Sequence, residues 1–234
     1  MKRNYQIEDS IPLVQEELIA RTAYHEAGHA AAIHLSNRLK NLPPVFFQIT
    51  MGNLCSAEGA SHHVMERSKS NWLATVEGGH LIGSLPVSVL ESSRYFSDHQ
   101  LHAYQVAYEA DIINILAGPL AEAKHVAQLD DECFNARLIN VEALKYYGGS
   151  SDLERVTEYL EGFIGDKDKR QEKLNSLFLE AFKFVDHPYH WYAISQLADH
   201  ILENDKSLIS CEDAIDVLDE AMIKIQTLYF RQIP

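Results

Sequence analysis

A chain of 234 residues is long enough for one domain with a substantial core. Its 20 basic and 34 acidic residues give a formal net charge of −14 and no basic face to hold phosphates, which excludes nucleic acid as an expected partner. With 46% hydrophobic and 23% charged residues the chain has the composition of a folded protein, not a disordered one.

The three cysteines, Cys55, Cys133 and Cys211, form no CxxC pair, so neither a disulfide framework nor a cysteine zinc ribbon is expected. No stretch approaches the roughly 18 apolar residues of a membrane span. The first twenty residues lack the apolar core of a signal peptide. Cytoplasmic location and no membrane partner follow as expectations.

In chain order, Ile11 to Asn37 reads as a helix whose second half is rich in alanine. A break at Pro43-Pro44 precedes a short strand, Val45 to Met51, closed by Gly52-Asn53. Residues 53–100 read as loop with short pieces of helix or strand. Helix returns from Leu101 to Leu129, with Val106, Ile113, Leu116, Leu120 and Ala123 toward a core. Further helices are expected over 134–147, over the segment begun by Ser151-Asp152-Leu153-Glu154 as a capping box, and over 168–185, 188–204 and 211–230.

Leu177, Phe178, Phe182, Ile201, Leu218 and Ile223 belong to a core or an oligomer face in this reading. The fold class is therefore mainly α: a helical bundle built around one metal-binding helix, with a small β element after it. No repeat or long linker divides it, so residues 1–234 are expected to form one domain. Its core motifs would lie in 1–165 and the C-terminal helices in 166–234.

The chemistry lies in His25-Glu26-Ala27-Gly28-His29. Positions i and i+4 share a helix face, so the two imidazoles can reach one Zn2+, with Glu26 beside them as general base for a water. Gly28 inside a helix costs about 1 kcal/mol relative to alanine, which predicts a close neighbour there. A catalytic site needs a third protein ligand. His34 is out of register for that role, and the long zinc signature fails at Ala32 and Leu35. Glu122 and Asp152 both qualify.

These residues resemble motifs of the peptidase domain of FtsH, the membrane-anchored AAA+ zinc protease. His25 to Ala30 is similar to the family's opening motif, and the strand ending at Met51 to the strand that follows it. Leu116-Ala117-Gly118-Pro119-Leu120-Ala121-Glu122 resembles the Leu-x-Gly-Gly-Arg-x-Ala-Glu segment. Gly148-Gly149-Ser150-Ser151-Asp152-Leu153 resembles the segment whose aspartate is the third zinc ligand. The resemblance covers roughly residues 20–165.

It implies Zn2+ held by His25, His29 and Asp152, Glu26 as catalytic base, and Glu122 orienting a ligating histidine. It departs from the family at Pro119 and Leu120, and no nucleotide-binding glycine loop is present. The implied activity is an ATP-independent zinc metallopeptidase, an endopeptidase, acting on peptides or unfolded protein, with self-association among the expectations.

Two other readings use the same residues. One is a catalytically inactive zinc-binding interaction module of the same fold. The other is a di-iron carboxylate bundle built on the pairs Glu26/His29 and Glu122/His125, with a third pair, Glu77/His80, carrying two glycines. His62, His63 and His80 could line a pocket, and His187 to Trp191 reads as a packing corner.

Overall fold

The computed structural model describes residues 15–52, 74–82, 96–204 and 207–230. Cys55, His62 and His63 lie outside them. The fold is mainly helical with one small three-stranded sheet.

Helix α1 (Gln15–Ala31) runs without a break into a π-helical turn, Ala32–Ser36, and a last turn, Asn37–Leu39. Strands β1 (Phe47–Met51) and β2 (Ala74–Gly78) follow. The long helix α2 (Asp98–Leu129) leads through a 3-10 turn, Val141–Tyr147, to α3 (Ser150–Phe163). Helices α4 (Lys167–Asp186) and α5 (Pro188–Glu203), strand β3 (Leu208–Ile209) and helix α6 (Cys211–Phe230) complete the order.

Helix α2 is the centre of the molecule. From Ala110 to Lys124 every residue is buried, so the helix is covered on all sides. It starts with a capping box in which the Ser97 hydroxyl accepts from Gln100 N while the Gln100 side chain accepts from Ser97 N. Helix α1 crosses α2 along a seam of small residues. A β-carbon at Gly28 would stand 2.6 Å from both the Ala117 oxygen and the Ala121 methyl. The close neighbour expected from the sequence at Gly28 is therefore α2 itself.

The sheet is antiparallel in the order β2-β1-β3, with Ile49 opposite Val76 on one side and Ile209 on the other. These three and Phe47 are fully buried, while Gln48 and Glu77 pair across the outer face at 2.8 Å. One buried cluster extends from Ala23 through α2 to Ala221.

Lys124 is buried beneath the rings of Phe134 and Trp191 and donates to the Val185 and Asp186 carbonyls, satisfying the last turn of α4. At the start of α5 the His187 ring accepts from Tyr189 N and Pro188 takes the first helical position.

Several expectations need correction. The helix anticipated over 134–147 is only the 3-10 turn Val141–Tyr147, capped by Asn140 and ended by the left-handed Gly148. Ser151 is not the cap residue: α3 already begins at Ser150, with Gly149 at its cap position and no side-chain cap bond there. The first strand begins at Phe47, two residues late, and α2 begins at Asp98, three residues early. Of the residues read as core or an oligomer face, Ile223 is 65% exposed and outside the core, whereas its five companions are buried.

Candidate metal centre

Three helices converge on the buried centre. Helix α1 brings His25, Glu26 and His29, each with no solvent exposure, α2 brings Glu122 at 1%, and the first turn of α3 brings Asp152 at 1%. His25 Nε2 lies 3.2 Å from Asp152 Oδ2, and His29 Nε2 lies 3.7 Å from Asp152 Oδ1. His25, His29 and Asp152 offer ligand atoms that all lie within 4.8 Å of one another. Among the described residues no other group of three or more His, Cys, Asp or Glu side chains could hold a metal ion.

The opposite edges of both rings are fixed by hydrogen bonds. His25 Nδ1 donates to Glu122 Oε2 at 3.1 Å and to the Tyr147 carbonyl at 3.2 Å. His29 Nδ1 donates to the Asn114 carbonyl at 2.9 Å. Holding the proton on Nδ1 leaves each Nε2 aimed at the space before Asp152, the outer-sphere arrangement typical of metal-ligating histidines.

Two features test whether a cation fits. Ligand atoms about 2.1 Å from a tetrahedral ion stand roughly 3.4 Å apart, and the two nitrogen–oxygen separations bracket that spacing. The centre also contains buried polar atoms with no hydrogen-bond partner: His29 Nε2 and both carboxylate oxygens of Glu26. Such orphans are costly unless something polar completes them. A cation with a water satisfies both kinds, so the residues fit a metal ion.

Electrostatics agree. Burial works against a charged His25, but its hydrogen bonds to Asp152 and Glu122 win and hold its pKa up at about 9. Burial would raise the Asp152 carboxyl, yet the His29 and His25 rings beside it bring it well below the ordinary carboxylate range. Glu26 is raised by burial, partly offset by the two histidines, which favours a carboxylate ready to take a proton.

Glycines make the room. A β-carbon at Gly118 would overlap the His29 ring, and one at Gly149 would come within 2.8 Å of the Pro119 ring and 2.7 Å of the Leu144 oxygen. The structure thus brings together His25, Glu26, His29, Glu122 and Asp152. It leaves out His34, which pairs with Asp219 at 2.9 Å, an oxygen shared with Arg38.

His125 is also outside, stacked on Tyr24 with centroids 3.9 Å apart, and Glu77 is an exposed strand residue. The three Glu/His pairs of a di-iron bundle therefore do not converge among the described residues. Sequence reasoning missed the Asn114 and Tyr147 carbonyls, which no residue letter announces. It also passed over Gly118, whose position beside Pro119 in a helix was the available signal.

Compared with family models and with curated proteins, the chain matches none. No helix among the described residues is long and apolar enough to cross a membrane.

Proposed function

We propose that the chain is a zinc metallopeptidase of the FtsH peptidase-domain type, with His25, His29 and Asp152 as ligands and Glu26 as the base. The observation that carries the reading is Glu26: a fully buried carboxylate beside the three ligands, both oxygens without a partner. A structural site has no use for it.

A bound zinc ion supplies Lewis-acid chemistry, lowering the pKa of water and polarising a carbonyl. Glu26 takes the proton from the attacking water and delivers it to the leaving amine, a role suited to a carboxylate whose pKa burial has raised. Glu122 and the Asn114 carbonyl keep His25 and His29 from rotating. Asp152, at the N-terminal turn of α3, is held as a carboxylate by the helix dipole and the two imidazoles. Two histidines and one carboxylate leave a coordination position for chemistry. A peptide or an unfolded segment is the substrate class.

One observation favours the second reading, an inactive zinc-binding module: all three ligand residues are almost completely buried, as in closed structural sites. The test separates them. The zinc-loaded protein and its Glu26→Gln variant are assayed on an unstructured protein such as casein. The peptidase reading expects cleavage by the wild type, at least a 100-fold lower rate in the variant, and equal zinc in both. Wild-type protein that binds zinc and cleaves nothing favours the inactive module.

A further inference from the structure

Helix α1, the π-helical turn and the last turn form one rod, and two of its side chains meet at a single residue of α2. His29 Nδ1 donates to the Asn114 carbonyl at 2.9 Å, and the Asn114 side-chain Nδ2 donates to Asn37 Oδ1 at 3.2 Å. The π-helical turn brings Asn37 there. Eight residues on from His29, an uninterrupted α-helix would place it about 80° round the axis. Instead Asn37 N donates to the Ala32 carbonyl five residues back, the wider turn winds the rod less, and the side chain comes back toward α2. The Asn37 carbonyl then ends the rod by accepting from Lys40 N and Leu42 N.

This amide pair weakens the seam it sits in. Asn37 is 2% exposed and Asn114 fully buried, among alanine, isoleucine and leucine side chains. Their one bond leaves Asn37 Nδ2 and Asn114 Oδ1 without a partner among the described residues. Buried amides left half satisfied are less favourable than apolar side chains of similar shape. If packing alone set these positions, two leucines would serve better. Register is what apolar side chains do not supply: helices that meet through methyl and methylene groups can slide at little cost, whereas one buried polar contact fixes the alignment.

The metal centre needs that alignment. Gly118, one turn after Asn114, lies against the His29 ring, so a slide of the rod would shift the ring against both its acceptor and Gly118. It would also move His29 Nε2 relative to Asp152. Helix α2 is weakest in this same turn, because Pro119 has no N–H for the Ile115 carbonyl.

We propose that Asn37 and the Asn114 side chain are positioning residues, a register pin that sets how far α1 is advanced along α2 and so holds His29 Nε2 in place before Asp152. The proposal rests on the metal-binding part of the reading above and is independent of peptide cleavage. Neither amide touches the ion or a substrate. The pin acts through the placement of His29 alone.

The test uses the full chain, stripped of metal by a chelator and reloaded with zinc or, for its visible absorption, cobalt(II). Wild type is compared with the double variant Asn37→Leu/Asn114→Leu, which removes both amides and leaves the Asn114 carbonyl to accept from His29. A purely structural pair would lose stability and metal affinity together, or leave both unchanged. The pin predicts a split. Metal-free Tm should equal or exceed that of wild type, zinc affinity by chelator competition should fall about tenfold or more, and the cobalt absorption bands should shift.

Should the double variant not fold, Asn37→Ala is compared with Ile209→Ala, a core truncation in β3. The first is expected to lose about tenfold in zinc affinity, and the second, though destabilised, to stay within about twofold of wild type. Three results would overturn the pin and leave the metal centre standing: unchanged zinc affinity in the folded double variant, Tm and affinity falling together in it, or equal affinity losses in the two alanine variants. Wild-type protein that takes up neither zinc nor cobalt would overturn the centre and the pin together.

Discussion

A methyl group at position 118 would overlap the imidazole of His29, and that is the tightest constraint on the centre. Gly118→Ala is expected to displace His29 and remove most of the metal the centre binds while leaving helical content intact, read by elemental mass spectrometry beside circular dichroism. Glu122→Gln acts differently. It keeps the size of the group but weakens the hold on His25 Nδ1, and losing such an outer partner costs about 10–100-fold in metal affinity. A chelator competition titration measures it. Asp152→Ala removes a ligand outright and should leave less zinc than either.

At the scale of elements, the centre depends on how closely α1 lies on α2. Gly28→Ala forces a β-carbon to within 2.6 Å of the Ala117 backbone, a contact that neither helix can relieve by a side-chain rotation. Overpacking of this kind costs about 1–3 kcal/mol, which for a chain of this size lowers Tm by several degrees, measurable by calorimetry.

This seam was readable in the sequence, because the 3.6-residue period placed both histidines on one face and the alanines and Gly28 marked a slim one. The donor set itself, His25, His29 and Asp152, was a sequence expectation that required a known family's motif order. The local pattern around Asp152 alone read more readily as a helix cap than as a ligand. What was illegible had physical reasons. Asn140 and Gly148 frame a 3-10 turn with the same caps that frame an α-helix. Ser151 carries the right spacing for a cap two residues too late, since Gly149 already holds the cap position of α3. The left-handed turn at Gly78-Gly79 is explained by the Phe46 carbonyl against Gly78 and the Ile33 side chain against Gly79, both far away in sequence.

Across the whole molecule the acidic balance means that the positive charge on His25 is supported locally, by carboxylates that touch it. In chelator-treated protein its pKa near 9 lies above the ordinary 6.5, so folding favours the protonated ring. That contribution is complete below about pH 6.5 and is lost as the pH rises through about 9. Urea titrations at pH 6.5 and 9.5 should show the wild type losing more stability than His25→Gln over this interval. With zinc present the sign reverses for the metal, because binding requires the neutral ring, and zinc affinity should climb over the same interval.

The candidate ligands also stand far apart along the chain, residues 25 and 29 on one helix and residue 152 on another, with strands β1 and β2 and all of α2 between them. A cation shared by them fastens the polypeptide into a closed circuit of more than a hundred residues, as a disulfide would, but one that opens on dilution of the ion. The protein's resistance to unfolding, and hence to digestion by added proteases, would then be set by the free concentration of the metal ion around it.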